Sequence, residues 1–252
     1  MKHSEFKGVI LAGGEGKRLR PLTYYFQKCM IPIGSMQKPL LEYVVRLMRH
    51  HGIRDIVMLV GYKHEQIENY FGDGARFNVS IRYVVDKPGR KGTGGALLNA
   101  YEEGSISPGD PIVIHYGDII TNLDISDMIN FHRRIGASVT VALSKGYRLR
   151  VGVAELGEDG RIKSFVEKPR LNIPVSIGIV VADGTIHEVT AQIAERRVSL
   201  DIMRDIIPAM IEQGHPVYGY MTDAFWYDLG SIERFEKLSN STVDEKLGFL
   251  MK

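Results

Sequence analysis

The chain of 252 residues carries 32 basic and 30 acidic side chains, a formal charge of +2, and 44% apolar residues. That is a globular composition with material for a sizeable core; the near-neutral balance excludes a general nucleic-acid binder, and the single cysteine, Cys29, excludes an internal disulfide or a multi-cysteine metal site. No apolar run approaches the roughly 18 residues of a membrane span, residues 1–6 carry no apolar leader, and lone-cysteine usage suits a reducing cytoplasm, so a cytoplasmic protein without membrane or nucleic-acid partners is expected.

Residues 6–12 form a β-branched, apolar run ending at Gly13-Gly14-Glu15-Gly16, the pattern of a buried strand entering a glycine turn. Residues 39–51 place Leu40, Leu41, Val44, Val45, Leu47 and Met48 at helical spacing, behind a proline and before Gly52, and predict an amphipathic helix. A strand over 55–60, a short helix over 64–71 and a strand over 79–85 follow, before the glycine-rich Lys91-Gly92-Thr93-Gly94-Gly95. A helix after Gly95, a strand over 111–116, a helix over 126–135 and a strand over 137–143 continue the alternation, which predicts a sheet covered on both faces. Beyond Gly146, residues 151–156 and 161–166 alternate around Glu158-Asp159-Gly160, a hairpin signal. Residues 175–182 return to buried strand character, followed by helices near 186–195 and 202–213, a strand over 216–221 and a last helix from 231 to about 240. Without a linker, repeat or low-complexity tract, residues 1–252 are expected to form one α/β unit carrying a hairpin subdomain.

The loop Gly13-Gly14-Glu15-Gly16-Lys17-Arg18-Leu19 matches neither common phosphate motif. Walker A needs a serine or threonine where Arg18 stands, and the glycine four residues before the Gly-Lys pair is missing. The dinucleotide fingerprint needs a glycine where Leu19 stands and an acid closing the second strand, where Val60-Gly61-Tyr62 stands. What remains is a turn whose backbone N–H groups can approach an anion, with Lys17 and Arg18 beside it. A nucleotide phosphate is its natural occupant, and a purely structural turn fits the same residues.

Read from Gly8 to Thr23, GVILAGGEGKRLRPLT, the segment resembles the signature of the sugar-1-phosphate nucleotidylyltransferases, the NDP-sugar pyrophosphorylases. Five blocks match in order: Lys28 with Pro32 and Lys38-Pro39-Leu40; Gly92-Thr93-Gly94-Gly95-Ala96; Tyr116-Gly117-Asp118; Val166-Glu167-Lys168-Pro169; and Trp226-Tyr227-Asp228-Leu229-Gly230-Ser231. The resemblance implies a Rossmann-like three-layer α/β/α nucleotidyltransferase fold, with a mixed central sheet and a small antiparallel hairpin region on the sugar side. Residues 1–143 would bind the nucleotide, and 144–252 would bind the sugar and close the site.

The implied reaction is direct in-line attack of a hexose 1-phosphate oxygen on the α-phosphorus of an NTP, forming an NDP-sugar and pyrophosphate. Like charges at contact repel by roughly 1 kcal/mol per pair even in water, so cations must bring the two polyanions together. By resemblance Arg18, Lys28 and Asp118 are catalytic: Arg18 grips the triphosphate and Lys28 the phosphates at the reacting centre, while Asp118 and Asp228 hold Mg2+. Leu11, Ala12, Gly13, Gly14, Gly16 and Lys17, with Gly92 and Thr93, would bind the nucleotide, and Asp86 stands where related enzymes place a base-reading side chain. Gly152, Glu167, Lys168 and Ser176 would take the sugar phosphate.

Plainer roles compete with these. Asp118 could cap a turn, Lys168 could be a solvated hairpin charge, Trp226 and His115 could be packing residues, and His50-His51 could sit against a helix C-terminus. The chain also departs from the family pattern: Gln27-Lys28-Cys29 replaces Pro-Lys-Pro and loses two stiff residues beside the lysine. On the sugar side, Ser176-Ile177-Gly178 stands where an asparagine often precedes two small residues, Val151-Gly152-Val153 replaces Tyr-Gly-Val, and the loop 145–150 is short. No hexapeptide repeat follows the last block, so the resemblance is to a catalytic domain only. Mannose 1-phosphate with GTP is the preferred pair; glucose 1-phosphate with UTP, dTTP or CTP is the alternative, and a non-catalytic nucleotide-sugar sensor is the alternative of another class. A glycosyltransferase is disfavoured because Ile120 breaks the Asp-x-Asp pattern at Asp118. Homo-oligomer formation stays open.

Overall fold

A computed structural model describes residues 3–149 and 151–251. Met1, Lys2, Arg150 and Lys252 lie outside them, and with them part of the 1–6 segment and of the short loop 145–150.

The first strand, β1 (Lys7–Ala12), sets the architecture: Val9 and Leu11 enter one apolar cluster, and Ile10 and Ala12 enter another. Alternate residues point to opposite faces, so a strand apolar from Val9 to Ala12 needs cover on both. The short β2 (Pro32–Ile33) and β3 (Lys38–Pro39) lead to α1 (Leu40–His50), which buries the six predicted apolar side chains. Each fully buried side chain of this kind contributes about 1.5–3 kcal/mol. Then come β4 (Asp55–Val60), α2 (His64–Phe71), β5 (Ser80–Val85), α3 (Gly92–Glu102), β6 (Ile112–Tyr116), β7 (Ile119–Thr121) and α4 (Ile125–Arg134). The later chain supplies β8 (Val139–Arg148), the hairpin β9 (Val153–Leu156) and β10 (Ile162–Val166), β11 (Arg170–Ala182), α5 (Thr185–Ala194), a π-helical turn (Ile202–Ile206), α6 (Ile207–Glu212), β12 (Val217–Thr222), β13 (Trp226–Asp228), α7 (Ile232–Lys237) and α8 (Asn240–Leu247).

Among the described residues the main sheet runs β12-β8-β11-β6-β1-β4-β5. Only β11 runs antiparallel to its neighbours, β6 and β8, which makes the sheet mixed as expected. One face packs on α1, α2, α4 and α8, the other on α3, α5 and α6, giving the three layers. The chain leaves β1 toward β4 and β5, then returns to pair β6 on the opposite edge of β1. Such a reversal opens a crevice at the carboxyl ends of the strands, where open α/β sheets bind ligands.

Three elements differ from expectation. The last predicted helix is two, because Leu238 is extended and Ser239 caps α8, accepting from the Thr242 amide at 3.1 Å. The helix expected over 202–213 begins as a π turn, in which the Ile206 amide reaches back five residues to the Asp201 carbonyl; Pro208, lacking an amide, cannot continue the regular ladder from Arg204. The strand expected over 137–143 extends to Arg148, because β11 begins early enough to pair along it. No helix among the described residues is long and apolar enough to cross a membrane.

Two imidazoles tie this packing to pH. Burial pushes His51, next after α1, and His115, inside β6, down to about 4 from 6.5. His51 is therefore a neutral partner of the Ser126 hydroxyl, 3.0 Å away, not a cation at the helix end. The His115 Nδ1–H donates to the Tyr116 carbonyl at 2.9 Å. Both must gain a proton on unfolding below pH 6.5. Their contribution is whole above that pH and lost as pH falls toward 4, by about 3 kcal/mol for each. Urea unfolding across that window should show falling stability, and His115→Gln should flatten the slope; an unchanged slope would remove His115 from the account.

Candidate active site

At the carboxyl ends of β1, β4 and β6 the backbone turns are locked together. The carbonyl of Leu11 accepts from the Gly117 amide at 2.9 Å, that of Ala12 from Gln27 Nε2 at 2.7 Å, and that of Gly13 from the Tyr62 amide at 3.1 Å. Gly16 takes a φ of +63°, a left-handed conformation that glycine adopts without penalty, and the Thr23 hydroxyl donates to its carbonyl at 2.9 Å. The glycine loop is thus a fixed cradle.

A cavity of about 390 Å³ opens beneath it, lined by Leu11, Gly13, Gly14, Asp86, Gly92, Thr93 and Asp118 among others. Another, of about 380 Å³, holds Gly16, Lys17, Arg18 and Gly230, and Lys28 lines both. Lys28 Nζ lies 2.5 Å from Asp118 Oδ2, and both side chains are largely buried. Burial opposes the ammonium charge, but the Asp118 carboxylate overcomes it and holds Lys28 above the usual lysine range.

Asp228 joins this pair through the pairing of β13 with β7, which aligns Asp228 with Ile119, while the Leu229 amide donates to the Asp118 carbonyl at 2.9 Å. Burial and the Asp118 charge push the Asp228 carboxyl up, against Arg234, Lys28 and Arg18. Arg234 Nη1 is bonded to Asp228. Exposed Arg18 reaches the same cluster over Gly230. The structure therefore brings Arg18, Lys28, Asp118 and Asp228 together, two cations that can pair with phosphate oxygens and two carboxylates that can take a cation.

Asp86 follows β5 and places its carboxylate against the backbone of Gly13 and Gly61, where a Cβ on Gly13 would come within 2.6 Å of Oδ2. Burial pushes its carboxyl above the usual range. Gly92, at φ +81°, lies so close to the Leu200 carbonyl that a Cβ would collide with it. The Thr93 hydroxyl donates to Asp201 at 2.9 Å and accepts from the Ile202 amide at 2.9 Å, so it anchors the loop while lining the cavity. Lys17 is exposed and sits 3.1 Å from Glu15.

On the other side, Gly152 packs on Phe165 and Glu167, and Lys168 Nζ is 3.7 Å from Glu167 Oε1 with both side chains exposed. The Ser176 hydroxyl accepts from the Gly178 amide at 3.3 Å. Among the described residues no hydrogen bond or ion pair joins Gly152, Glu167, Lys168 or Ser176 to the Lys28 cluster.

Gln27 reverses the expectation of a loosely held lysine. It is fully buried; Nε2 grips the Ala12 carbonyl at 2.7 Å, and Oε1 accepts from the Cys29 amide at 2.6 Å. Its own amide donates to Gln66 Oε1 at 2.7 Å, and Gln66 Nε2 donates to the Tyr25 carbonyl at 2.7 Å. Two glutamine side chains thus replace proline stiffness on either side of the lysine segment. Residue type alone marked Gln27 as a departure; its partners are remote in sequence. Arg234 was likewise invisible beyond being one more helix charge.

A family model described as nucleotidyl transferase matches residues 7–245. Over 241 residues the chain is 32% identical to the UTP–glucose-1-phosphate uridylyltransferase of Synechocystis sp., covering 90% of this chain and 60% of that one. Over 247 residues it is 30% identical to the mannose-1-phosphate guanylyltransferase of Mycobacterium tuberculosis, covering 96% and 66%. The chain spans 60 to 66% of the length of these two relatives. A crystal structure of a Bacillus anthracis protein assigned as a glucose-1-phosphate thymidylyltransferase matches with a TM-score of 0.74, 24% identity and 94% coverage of both chains, which bears out the expected fold.

Gln27→Leu keeps the bulk and removes both amide bonds, leaving a buried carbonyl and a buried amide unpaired. Unfolding free energy should drop by about 2–4 kcal/mol. A loss near zero in denaturant titration would show that Gln27 does not hold this segment.

Proposed function

The chain belongs to the nucleotidyl transferase family, and from that premise we propose that it transfers the nucleotidyl group of an NTP to a hexose 1-phosphate. The observation that carries this reading is the Lys28–Asp118 pair beside Asp228 and Arg18, at the junction of two cavities under a fixed glycine loop. One cavity accommodates a base and ribose against Leu11, Asp86 and Gly92; the other offers Gly16, Lys17 and Arg18 to the leaving phosphates. Lys28 faces both, where the α-phosphate would lie.

A sugar-phosphate oxygen forms a bond to the α-phosphorus as the bond to the β-phosphate bridging oxygen breaks, and pyrophosphate departs with that electron pair. The attacking group is already an anion, so no protein base is required. The work of the protein is to position two anions and screen their charge. Lys28 and Arg18 do so at the reacting and leaving phosphates, and Lys17 assists at the loop. Gly13, Gly14 and the backbone of Leu11 and Ala12 hold the nucleotide, with Gly92 and Thr93 closing its far side.

Asp118 and Asp228 suit Mg2+, a hard cation that takes one or two carboxylates and leaves its other positions to phosphate and water. Their crowding, which pushes the Asp228 carboxyl up, is a cost that a dication would remove. Bound there, it would polarise the α-phosphate.

For the base, a carboxylate accepts two parallel N–H groups well, and guanine presents N1–H and N2–H side by side. Uracil and thymine present a single N–H between two carbonyls. Asp86, exposed at the cavity and with no cation bonded to it among the described residues, therefore favours GTP. The similarity to a mannose-1-phosphate guanylyltransferase supports mannose as the sugar. Gly152, Glu167, Lys168 and Ser176 would receive the sugar phosphate, with 144–252 closing over 1–143 and the whole working in the cytoplasm on free nucleotides.

Pyrophosphate release should be measured for ATP, GTP, CTP, UTP and dTTP against glucose, mannose, galactose and N-acetylglucosamine 1-phosphates, with and without Mg2+. Mg2+-dependent release with GTP and mannose 1-phosphate is expected; nucleotide binding without release for any pair would replace the enzyme by a sensor. Asp228→Asn should lower kcat by about two orders of magnitude with the fold intact, and a change of only a few fold would remove Asp228 from the centre. Asp86→Asn sets an amide donor against the guanine N–H groups and should lower kcat/KM for GTP about ten- to a hundredfold more than for UTP. Equal losses for both nucleotides would show that Asp86 does not read the base.

A further inference from the structure

Behind the nucleotide loop, where α5, the π-helical turn and α6 meet, lies a separate polar cavity of about 380 Å³. Arg196, Arg197 and Arg204 converge on it, with Asp205 and Glu212 as its acids. Asp205 is buried and already accepts four bonds: Arg197 Nη1 at 2.7 Å, Arg204 Nη2 at 2.9 Å and Nε at 3.2 Å, and the Asp201 amide at 2.7 Å. A carboxylate offers about four lone-pair sites, so it has none left for a third guanidinium. Among the described residues Arg196 has no side-chain partner, and Glu212 pairs with none of the three arginines. The cavity thus gathers more guanidinium donors than its acids satisfy.

The backbone beneath it is irregular in a way that serves the same end. One π-helical turn, Ile202–Ile206, leads into α6 and carries Arg204 and Asp205, both of which line the cavity. The residues leading into the turn grip the nucleotide loop: the Leu200 carbonyl accepts from the Gly94 amide at 2.9 Å, and Asp201 holds the Thr93 hydroxyl. Asp205, clamped by the arginines, in turn fixes the Asp201 amide. The path from the arginine cavity to the nucleotide cavity is therefore Asp205, Asp201, Thr93.

We propose that this cavity is a regulatory anion site that binds a small phosphate-bearing molecule between Arg196, Arg197 and Arg204. Guanidinium forks match phosphate oxygens in pairs, and a phosphate would supply the acceptors that Asp205 cannot. Its arrival competes with Asp205 for Arg197 and Arg204, loosens the clamp on Asp201, and so changes how the Gly92–Thr93 loop receives a nucleotide. The binding event is independent of the transfer reaction, so it can stand or fall separately from it.

Inorganic phosphate and a hexose 6-phosphate should each be titrated by calorimetry into the wild-type protein, Arg196→Gln and Arg18→Ala. Arg196→Gln breaks no bond seen in the structure and is expected to weaken the binding at least about tenfold, whereas Arg18→Ala, at the glycine loop, retains it. Binding of phosphate alone assigns the site to the free ion, and tighter binding of the ester assigns it to a phosphorylated metabolite. Equal affinity in wild type and Arg196→Gln, or a loss confined to Arg18→Ala, overturns the site. Nucleotide affinity measured with and without phosphate should shift in the wild type and not in Arg196→Gln; no shift in the wild type overturns the regulation.

Discussion

The largely buried ion pair between Lys28 and Asp118 is the interaction to which the rest of the site is fitted. Neither charge is stable there alone, because removing one partner of a buried pair leaves the other desolvated at a cost on the order of a few kcal/mol. The surrounding fold keeps both in place. Gln27 and Gln66 pin the lysine segment to the glycine loop, and the pairing of β13 with β7 brings Asp228 and its partner Arg234 to the aspartate. The result is a small set of opposed charges, ready to exchange one another for phosphate oxygens, with little rearrangement required of the backbone.

In the proposed transfer, that exchange is a matter of electrostatics more than of reactive side chains. Moving phosphoryl groups between anions requires screening and alignment, and both improve when the screening groups are held out of water in advance. Here the alignment comes from backbone amides bonded to the carbonyls of Leu11 and Gly13 and from the Gln27 side chain bonded to that of Ala12, which turn a glycine-rich stretch into a rigid cradle. The glycines also have plain steric reasons: Gly92 lies against the Leu200 carbonyl, and Gly13 against Asp86. Close approach of a ligand and close packing of the chain call for the same residue.

Early and late parts of the chain share this site. Residues 198–202 support the Gly92–Thr93 loop, and Asp228 completes the carboxylate pair begun by Asp118. This interlocking agrees with a family match that spans residues 7–245. It also means that a change in the arginine-lined cavity behind the loop has a short, bonded route to the nucleotide side.

The alternation of strands and helices was legible because β1 and β4 are apolar at nearly every position and α1 repeats its apolar residues at helical spacing. The glycine loop, Lys28, Asp118 and Asp228 were legible as ordered blocks, since the proposed phosphate chemistry restricts which residue types can stand there. Other features depended on partners far along the chain. The antiparallel course of β11, the break at Leu238 and the π turn before Pro208 are settled by which amides and carbonyls find one another, and no local periodicity encodes them. Gln27 makes the point most sharply: a polar residue in place of proline reads as a loss of stiffness until its bonds to Ala12, Cys29 and Gln66 are seen. Residue type alone carried the layered fold and the charged residues of the proposed chemistry, because burial and charge are properties of residue type. How those charges pair and what holds them is set by folding, because hydrogen bonding depends on distances between residues that the chain brings together from far apart.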